Sequence, residues 1–211
     1  FKPGDAYQRS KAEAELWIRA FAQESGLPLT VVRPAMVFGP GDRRMLKVFQ
    51  LAARRWFPVV GWGRGWMHCV HIDDLTDFLL LAATHPRAQG EAFICGSAQP
   101  MTLRAMASII GEEYGRTPRF VRLPATPVFL LADLCEAVCR PLGMEPPLFR
   151  RRVAFFTKDR AFTTAKMTRL LGFEAQRSSA AGIRSTARWY AERGWVAVRT
   201  AQATNGSSAM R

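Results

Sequence analysis

Apolar and polar positions fall in blocks along this chain, and the spacing within each block predicts an element. Residues Pro3 to Ser25 read as a helix, with a proline near the start and Gly26 just past the end. Leu29 to Arg33 is a short β-branched run stopped by Pro34, the pattern of a buried strand. Gly39-Pro40-Gly41-Asp42 is a loop, Arg43 to Arg55 a second helix, and Gly61 to Gly65 a glycine-rich turn region. A helix over His71 to Ala83 carries Asp73 and Asp74 in its first turn, where unpaired N–H groups favour acids. Ala92 to Cys95 reads as a strand. Thr102 stands where an N-cap belongs, before a helix reaching Tyr114. Phe120 to Leu123 reads as a strand and Val128 to Leu142 as a helix. Thr164 to Leu171 and Ile183 to Arg193 close the folded part, and a polar tail from Ala197 onward reads as disordered.

Strands alternating with helices predict an α/β fold with parallel strands. Only two or three strands are visible, too few for a complete sheet, and the chain opens on Phe1 rather than Met. Further strands are therefore expected upstream. The first helix would then present Leu16, Ile18 and Phe21 to little, and the 211 residues alone are expected to be poorly soluble or molten and not to bind NAD or NADP.

Composition adds limits. The chain is 48% hydrophobic and 22% charged, which suits a globular core rather than disorder. Net charge is +13, a balance compatible with nucleic acid or an anionic membrane. The basic residues are scattered, with Arg150-Arg151-Arg152 as the one cluster, so a basic surface with a pocket for an anionic cofactor is the simpler expectation, with no nucleic-acid partner. Cys69, Cys95, Cys135 and Cys139 form no CxxC pair. They read as buried thiols of a reducing cytosol rather than metal ligands. His68, His71 and His85 have no metal-ligand spacing, and His71 reads as a helix-start residue. No apolar run is long enough to span a membrane, and the opening residues are not expected to be a signal peptide. On the helix near Val128, the set Val128, Leu131, Ala132, Cys135, Val138, Cys139 and Leu142 reads as the core face. Phe129, Leu130 and Leu134 lie off it, where they would pack on other helices, line a substrate pocket or touch a membrane surface peripherally.

The chemistry begins at Tyr7 and Lys11, four apart in YQRSKAEAE and hence on one helical face. A tyrosine hydroxyl ordinarily ionises near pH ~10. A neighbouring ammonium favours its phenolate, so the pair can move a proton at a substrate oxygen. The helix is followed by a short strand and then by Arg33-Pro34-Ala35-Met36-Val37-Phe38-Gly39-Pro40-Gly41-Asp42. After it come His71-Ile72-Asp73-Asp74-Leu75, Gly90-Glu91-Ala92-Phe93-Ile94-Cys95-Gly96, Thr102, Lys166, Leu171-Gly172-Phe173 and Trp189-Tyr190.

In this order and spacing the chain resembles the extended short-chain dehydrogenase/reductases, the NAD-dependent epimerase/dehydratase family, from Tyr7 to about Trp195. The resemblance implies the C-terminal half of a Rossmann-like doubly wound parallel sheet plus a smaller α/β substrate domain. It would assign residues 1–40 and 68–97 to the NAD(P)-binding part, 41–67 and 98–196 to the substrate-binding part, and 197–211 to the tail. Tyr7 would be the catalytic acid/base, and Lys11 would hold the nicotinamide ribose and support it. Pro34 to Val37 would pack on the nicotinamide, with the Val37 N–H near its carboxamide. The cofactor would be NAD or NADP. The family's Gly-rich phosphate loop and its catalytic Ser or Thr have no counterpart in these residues. Gly61-x-Gly63-x-Gly65 is not read as that loop, because no strand is expected before it and no helix after it.

Nucleotide-sugar members commonly carry an Arg six residues before the first Asp of the acidic pair. That position here is Met67, whose thioether cannot pair with a diphosphate. The departure favours members that resemble dihydroflavonol reductases and 3β-hydroxysteroid dehydrogenases. The expectation is a cytoplasmic oxidoreductase acting on an apolar, small hydroxy or keto substrate, with a homodimer among its expected assemblies. A nucleotide-sugar epimerase or dehydratase, and a non-catalytic binding module that keeps the fold, are the alternatives.

Overall fold

A computed structural model of the chain describes residues 6–198. In chain order the elements are α1 (Ala6–Ser25), β1 (Val31–Pro34), β2 (Met36–Phe38), α2 (Leu46–Ala52), β3 (Trp56–Val60), β4 (Trp66–Met67), β5 (Cys69–His71) and α3 (Ile72–Thr84). They continue with β6 (Ala92–Cys95), β7 (Met101–Thr102), α4 (Leu103–Glu113), β8 (Arg119–Leu123), α5 (Ala125–Cys139), α6 (Arg150–Thr157), α7 (Ala165–Leu171) and α8 (Ser179–Glu192). The class is α/β, with helices covering short parallel and antiparallel pairs of strands. Most of the tail expected from residue 197 lies outside the described residues.

The chain divides into two compact units. The first comprises residues 1–37, 68–100 and 161–179. Here β1 pairs in parallel with β6, Val31 opposite Ala92 through Pro34 opposite Cys95. Each strand thus has a partner along one edge, 61 positions away in register. β2 pairs with β5. Above the strands a core of Val70, Leu75, Phe78, Ala82, Phe93, Cys95, Met167 and Leu171 closes, with Val32, Val37 and Phe173 at its edge. Each large side chain buried there contributes about 1.5–3 kcal/mol. Residues 161–179, expected in the substrate-binding part, instead sit in this unit. Met167 and Leu171 join its core, and Lys166 pairs with Glu91. The expectation for α1 is met at two of its three positions: Leu16 and Phe21 are exposed, Ile18 is half-buried, and Trp17 is exposed beside them.

The second unit comprises residues 38–67, 101–160 and 180–211. β3 and β8 form a parallel pair, Trp56 opposite Arg119 through Val60 opposite Leu123. β3 escaped the sequence reading because it contains Pro58. Its sheet has only β8 beside it, so one strand edge needs no ladder donor and proline is tolerated. A strand therefore does precede Gly61-Trp62-Gly63-Arg64-Gly65, against expectation. The next element is β4 rather than a helix, so the run is a strand–turn–strand link and not a phosphate loop. Gly61 and Gly63 supply its positive φ values of 67° and 61°. α2 is shorter than the expected helix over 43–55, and α6, read only as a basic cluster, is a helix of eight residues. Thr102 caps α4 as expected, accepting the Ala105 N–H.

On α5 the assignment of faces is corrected. Ala132 and Cys139 are buried, but Leu131, Val138 and Leu142, expected in the core, are exposed. Leu130 and Leu134 are exposed as well rather than packed on other helices. Helical spacing could not say which side of a helix apolar over most of its surface turns inward.

Tyr190 on α8 locks the turn at Gly39–Asp42. It is fully buried, meets Phe49 edge-on at 4.8 Å, and its hydroxyl donates to the Asp42 carbonyl. Tyr190→Phe should lower stability by about 1–3 kcal/mol, because it strands a carbonyl away from water. A denaturant midpoint unchanged from the native protein would refute this role for the hydroxyl.

Candidate active site

Tyr7, Lys11, Glu15 and Arg19 succeed one another at intervals of four along α1 and so form one ridge of the helix. The alanines and long straight side chains between them favour helix. Tyr7 and Lys11 occupy the first two turns, both exposed, with the ammonium 5.8 Å from the phenol ring centroid. Ser10 folds its hydroxyl back onto the Tyr7 carbonyl at 2.9 Å.

Glu15 fixes this ridge. Its carboxylate takes hydrogen bonds from both Nε and Nη2 of Arg33 on β1, and from Nε of Arg19. Hydrogen bonding from the Arg33 guanidinium holds the Glu15 carboxyl below the usual carboxylate range, and the same bond raises Arg33. Arg33 is the residue before Pro34, so the ion pair joins the helix bearing Tyr7 and Lys11 to the strand end bearing Pro34. Sequence reasoning missed Glu15. Its i,i+4 pairing with Arg19 was visible, but the partner on β1 was not.

Pro34 is exposed where β1 ends. The next two residues are held by neighbours: the Ala35 N–H donates to the Cys95 carbonyl at 2.8 Å, and the Met36 N–H to the His68 carbonyl at 3.0 Å. Val37 is half-buried against the core beneath. The four residues singled out by the sequence thus lie on three elements of one unit, α1, β1 and β2, with α1 and β1 tied by Glu15 and Arg33.

The surrounding histidines are structural. His71 caps α3, its Nδ1 accepting the Asp73 N–H at 3.3 Å, and burial pushes the imidazole below its ordinary value. The helix-start role read from the sequence is the one it has. His68 is buried. Its Nδ1 accepts the Phe162 N–H at 3.2 Å, which leaves Nε2 to donate to the Ser97 carbonyl at 2.7 Å. Gly96 leaves room for this ring, since a Cβ there would stand 2.8 Å from Nε2. Arg177 clamps the start of α3 through Asp73 and the buried Asp74. Burial raises the Cys69 and Cys95 thiols to about 12, the behaviour of core cysteines. Among the described residues no group of three or more His, Cys, Asp or Glu could hold a metal.

Residues 1–96 match the model of the NAD dependent epimerase/dehydratase family. Among curated proteins the chain is 29% identical over 203 residues to the decarboxylating sterol-4-alpha-carboxylate 3-dehydrogenase of Saccharomyces cerevisiae, covering 90% of this chain and 58% of that protein. It is 26% identical over 199 residues to 3beta-hydroxysteroid-dehydrogenase/decarboxylase isoform 1 of Arabidopsis thaliana, covering 88% and 45%. Among solved structures, an epimerase of Methanothermobacter thermautotrophicus superposes with a TM-score of 0.68 at 25% identity, over 89% of this chain and 50% of that one. The dTDP-glucose 4,6-dehydratase of Streptomyces venezuelae, solved with NAD, gives 0.63 at 25% identity over 90% and 52%. The chain spans about half the length of the curated relatives it matches. These findings bear out the resemblance read from the motifs: residues 1–96 are similar to the NAD dependent epimerase/dehydratase family. The fold is that of the Rossmann-type structures on which it superposes.

The residues present fit one part of such a cofactor. The exposed tip of Tyr7 and the exposed ammonium of Lys11 project from the same ridge, suited to a ribose and a reacting oxygen. Among the described residues nothing fits the pyrophosphate, since the one glycine-rich turn joins two strands.

Glu15 leads to a pH dependence. Its folded-state pKa is depressed, so the stability it contributes is complete above its ordinary ionisation near pH ~4.3 and lost as pH falls through the lower folded value. Glu15→Gln should therefore lower the melting temperature at pH 7 by the equivalent of roughly 1 kcal/mol and flatten the acid limb below pH ~4. An acid limb identical in the variant would show that the pair contributes nothing.

Proposed function

We propose that the protein is an NAD(P)-dependent oxidoreductase of the extended short-chain dehydrogenase type, acting on the hydroxyl or keto group of an apolar small molecule. The observation that carries this reading is the pairing of Tyr7 with Lys11 one turn apart on the exposed start of α1, joined through Glu15 and Arg33 to Pro34. When bound, the nicotinamide supplies or accepts the hydride. Tyr7 gives or takes the proton at the substrate oxygen. Lys11 holds the nicotinamide ribose and places positive charge beside that hydroxyl. Pro34 to Val37 present backbone to the nicotinamide carboxamide, Val37 through its N–H. The cofactor is NAD or NADP, and the protein works in the cytoplasm as a homodimer.

Two facts support an apolar substrate over a nucleotide sugar. The curated relatives named above act, by their names, on sterol carboxylates and hydroxysteroids. Met67, at the position where a diphosphate-binding Arg would stand, is 2% exposed and pairs in an antiparallel bridge with Met101. The nucleotide-sugar reading keeps the support of the dehydratase structure, and the non-catalytic reading would require that Tyr7 be dispensable.

Tyr7→Phe, in the protein expressed from its complete reading frame, should lower kcat with an apolar hydroxy substrate by at least about 10²-fold while the cofactor Kd stays within about twofold. Substantial turnover in that variant would remove Tyr7 as acid/base. Titration with UDP-sugars should give no micromolar binding, and a micromolar Kd would transfer the case to the nucleotide-sugar reading.

A further inference from the structure

The charge of this chain is divided unevenly between its units. The second unit holds 21 basic and 8 acidic residues, the first 9 and 9, so the whole net charge of +13 belongs to the second. The same unit carries α5, whose outward side is apolar. Taking 100° per residue from Leu130, Leu134 lies at about 40°, Val138 at about 80° and Leu131 at about 100°. Together they form one continuous ridge, and they are 65%, 61%, 53% and 57% exposed in that order. Leu142 and Met144, beyond the helix end, are exposed too.

A soluble helix turns such a stripe inward, and an exposed one marks a docking surface. The two carboxylates of α5 are occupied: Asp133 pairs with Arg150 and Glu136 with Arg140. Unpaired negative charge on α5 thus does not oppose an anionic partner. The exposed Trp62, with Arg122 3.5 Å and Arg64 5.5 Å from its ring, lines the same cavity of about 360 Å³ as Ala125, the first residue of α5. An indole beside guanidinium groups suits the zone between lipid headgroups and acyl chains. No described helix is long and apolar enough to cross a membrane, so the ridge is matched to lying on one.

We propose that α5 docks the second unit on an anionic lipid surface, with Leu130, Leu131, Leu134 and Val138 entering the acyl boundary and the unit's cations meeting the headgroups. This does not depend on the oxidoreductase reading.

The test is sedimentation with vesicles, using protein from the complete reading frame. Phosphatidylcholine vesicles containing phosphatidylglycerol should bind it at least about tenfold more tightly than phosphatidylcholine alone, with the difference shrinking in high salt. The paired substitutions Leu130→Ser/Leu134→Ser and, separately, Leu131→Ser/Val138→Ser should each weaken binding at least about tenfold. Leu16→Ser/Trp17→Ser, similarly exposed but on the first unit, whose charges balance, should leave it unchanged, and circular dichroism spectra should match throughout. Equal binding to both vesicle types would overturn the proposal. So would unaltered binding by both α5 variants, or equal loss in the α1 variant. Absence of vesicle binding, with a dimer that the α5 variants dissolve, would assign the ridge to a second copy of the chain instead.

Discussion

The structure of the first unit rests on a backbone requirement. A strand of four residues, Val31 to Pro34, has to place its amide and carbonyl groups, and it does so against Ala92 to Cys95. That ladder closes a long loop before any of its hydrogen bonds form, so it is formed only together with the packing of Phe78, Phe93 and Leu171 above it. The consequences reach the candidate site. The Cys95 carbonyl that ends the ladder holds Ala35, and β1 presents Arg33 to Glu15, which holds α1. Tyr7 and Lys11 thus owe their place to hydrogen bonds made elsewhere.

Legibility followed range. Elements whose signals are local were readable: α1 with Gly26 after it, α3 with Asp73 and Asp74 in its first turn, and α4 with its Thr102 cap. Strands of two or three residues such as β2, β4, β5 and β7 carry no period that a window can detect, and their existence depends on partners far along the chain. Pro58 hid β3 because nothing local reveals that one edge of that strand is open.

The site divides in the same way. Tyr7, Lys11, Pro34 and Val37 became candidates through motif order, whereas Glu15 and Arg33 meet in a contact between helix and strand that no spacing encodes. α5 shows a different limit. Its residues are apolar on nearly every side, so periodicity was present but its direction was undetermined, and the side expected inside is partly the side that faces out. Hydrophobicity predicts burial only when the chain also offers something to be buried against.

The uneven charge has a consequence for how the two units withstand their medium. Self-repulsion among like charges works against compactness and is damped by salt within about 10 Å at 0.1 M. With 21 basic against 8 acidic residues, the second unit carries that internal strain, while the first, at 9 against 9, carries none on balance. Ionic strength therefore acts oppositely on the two halves of the chain: it relieves repulsion in the second unit, and in the first it screens the ion pairs of Glu15, Lys166 and Arg177.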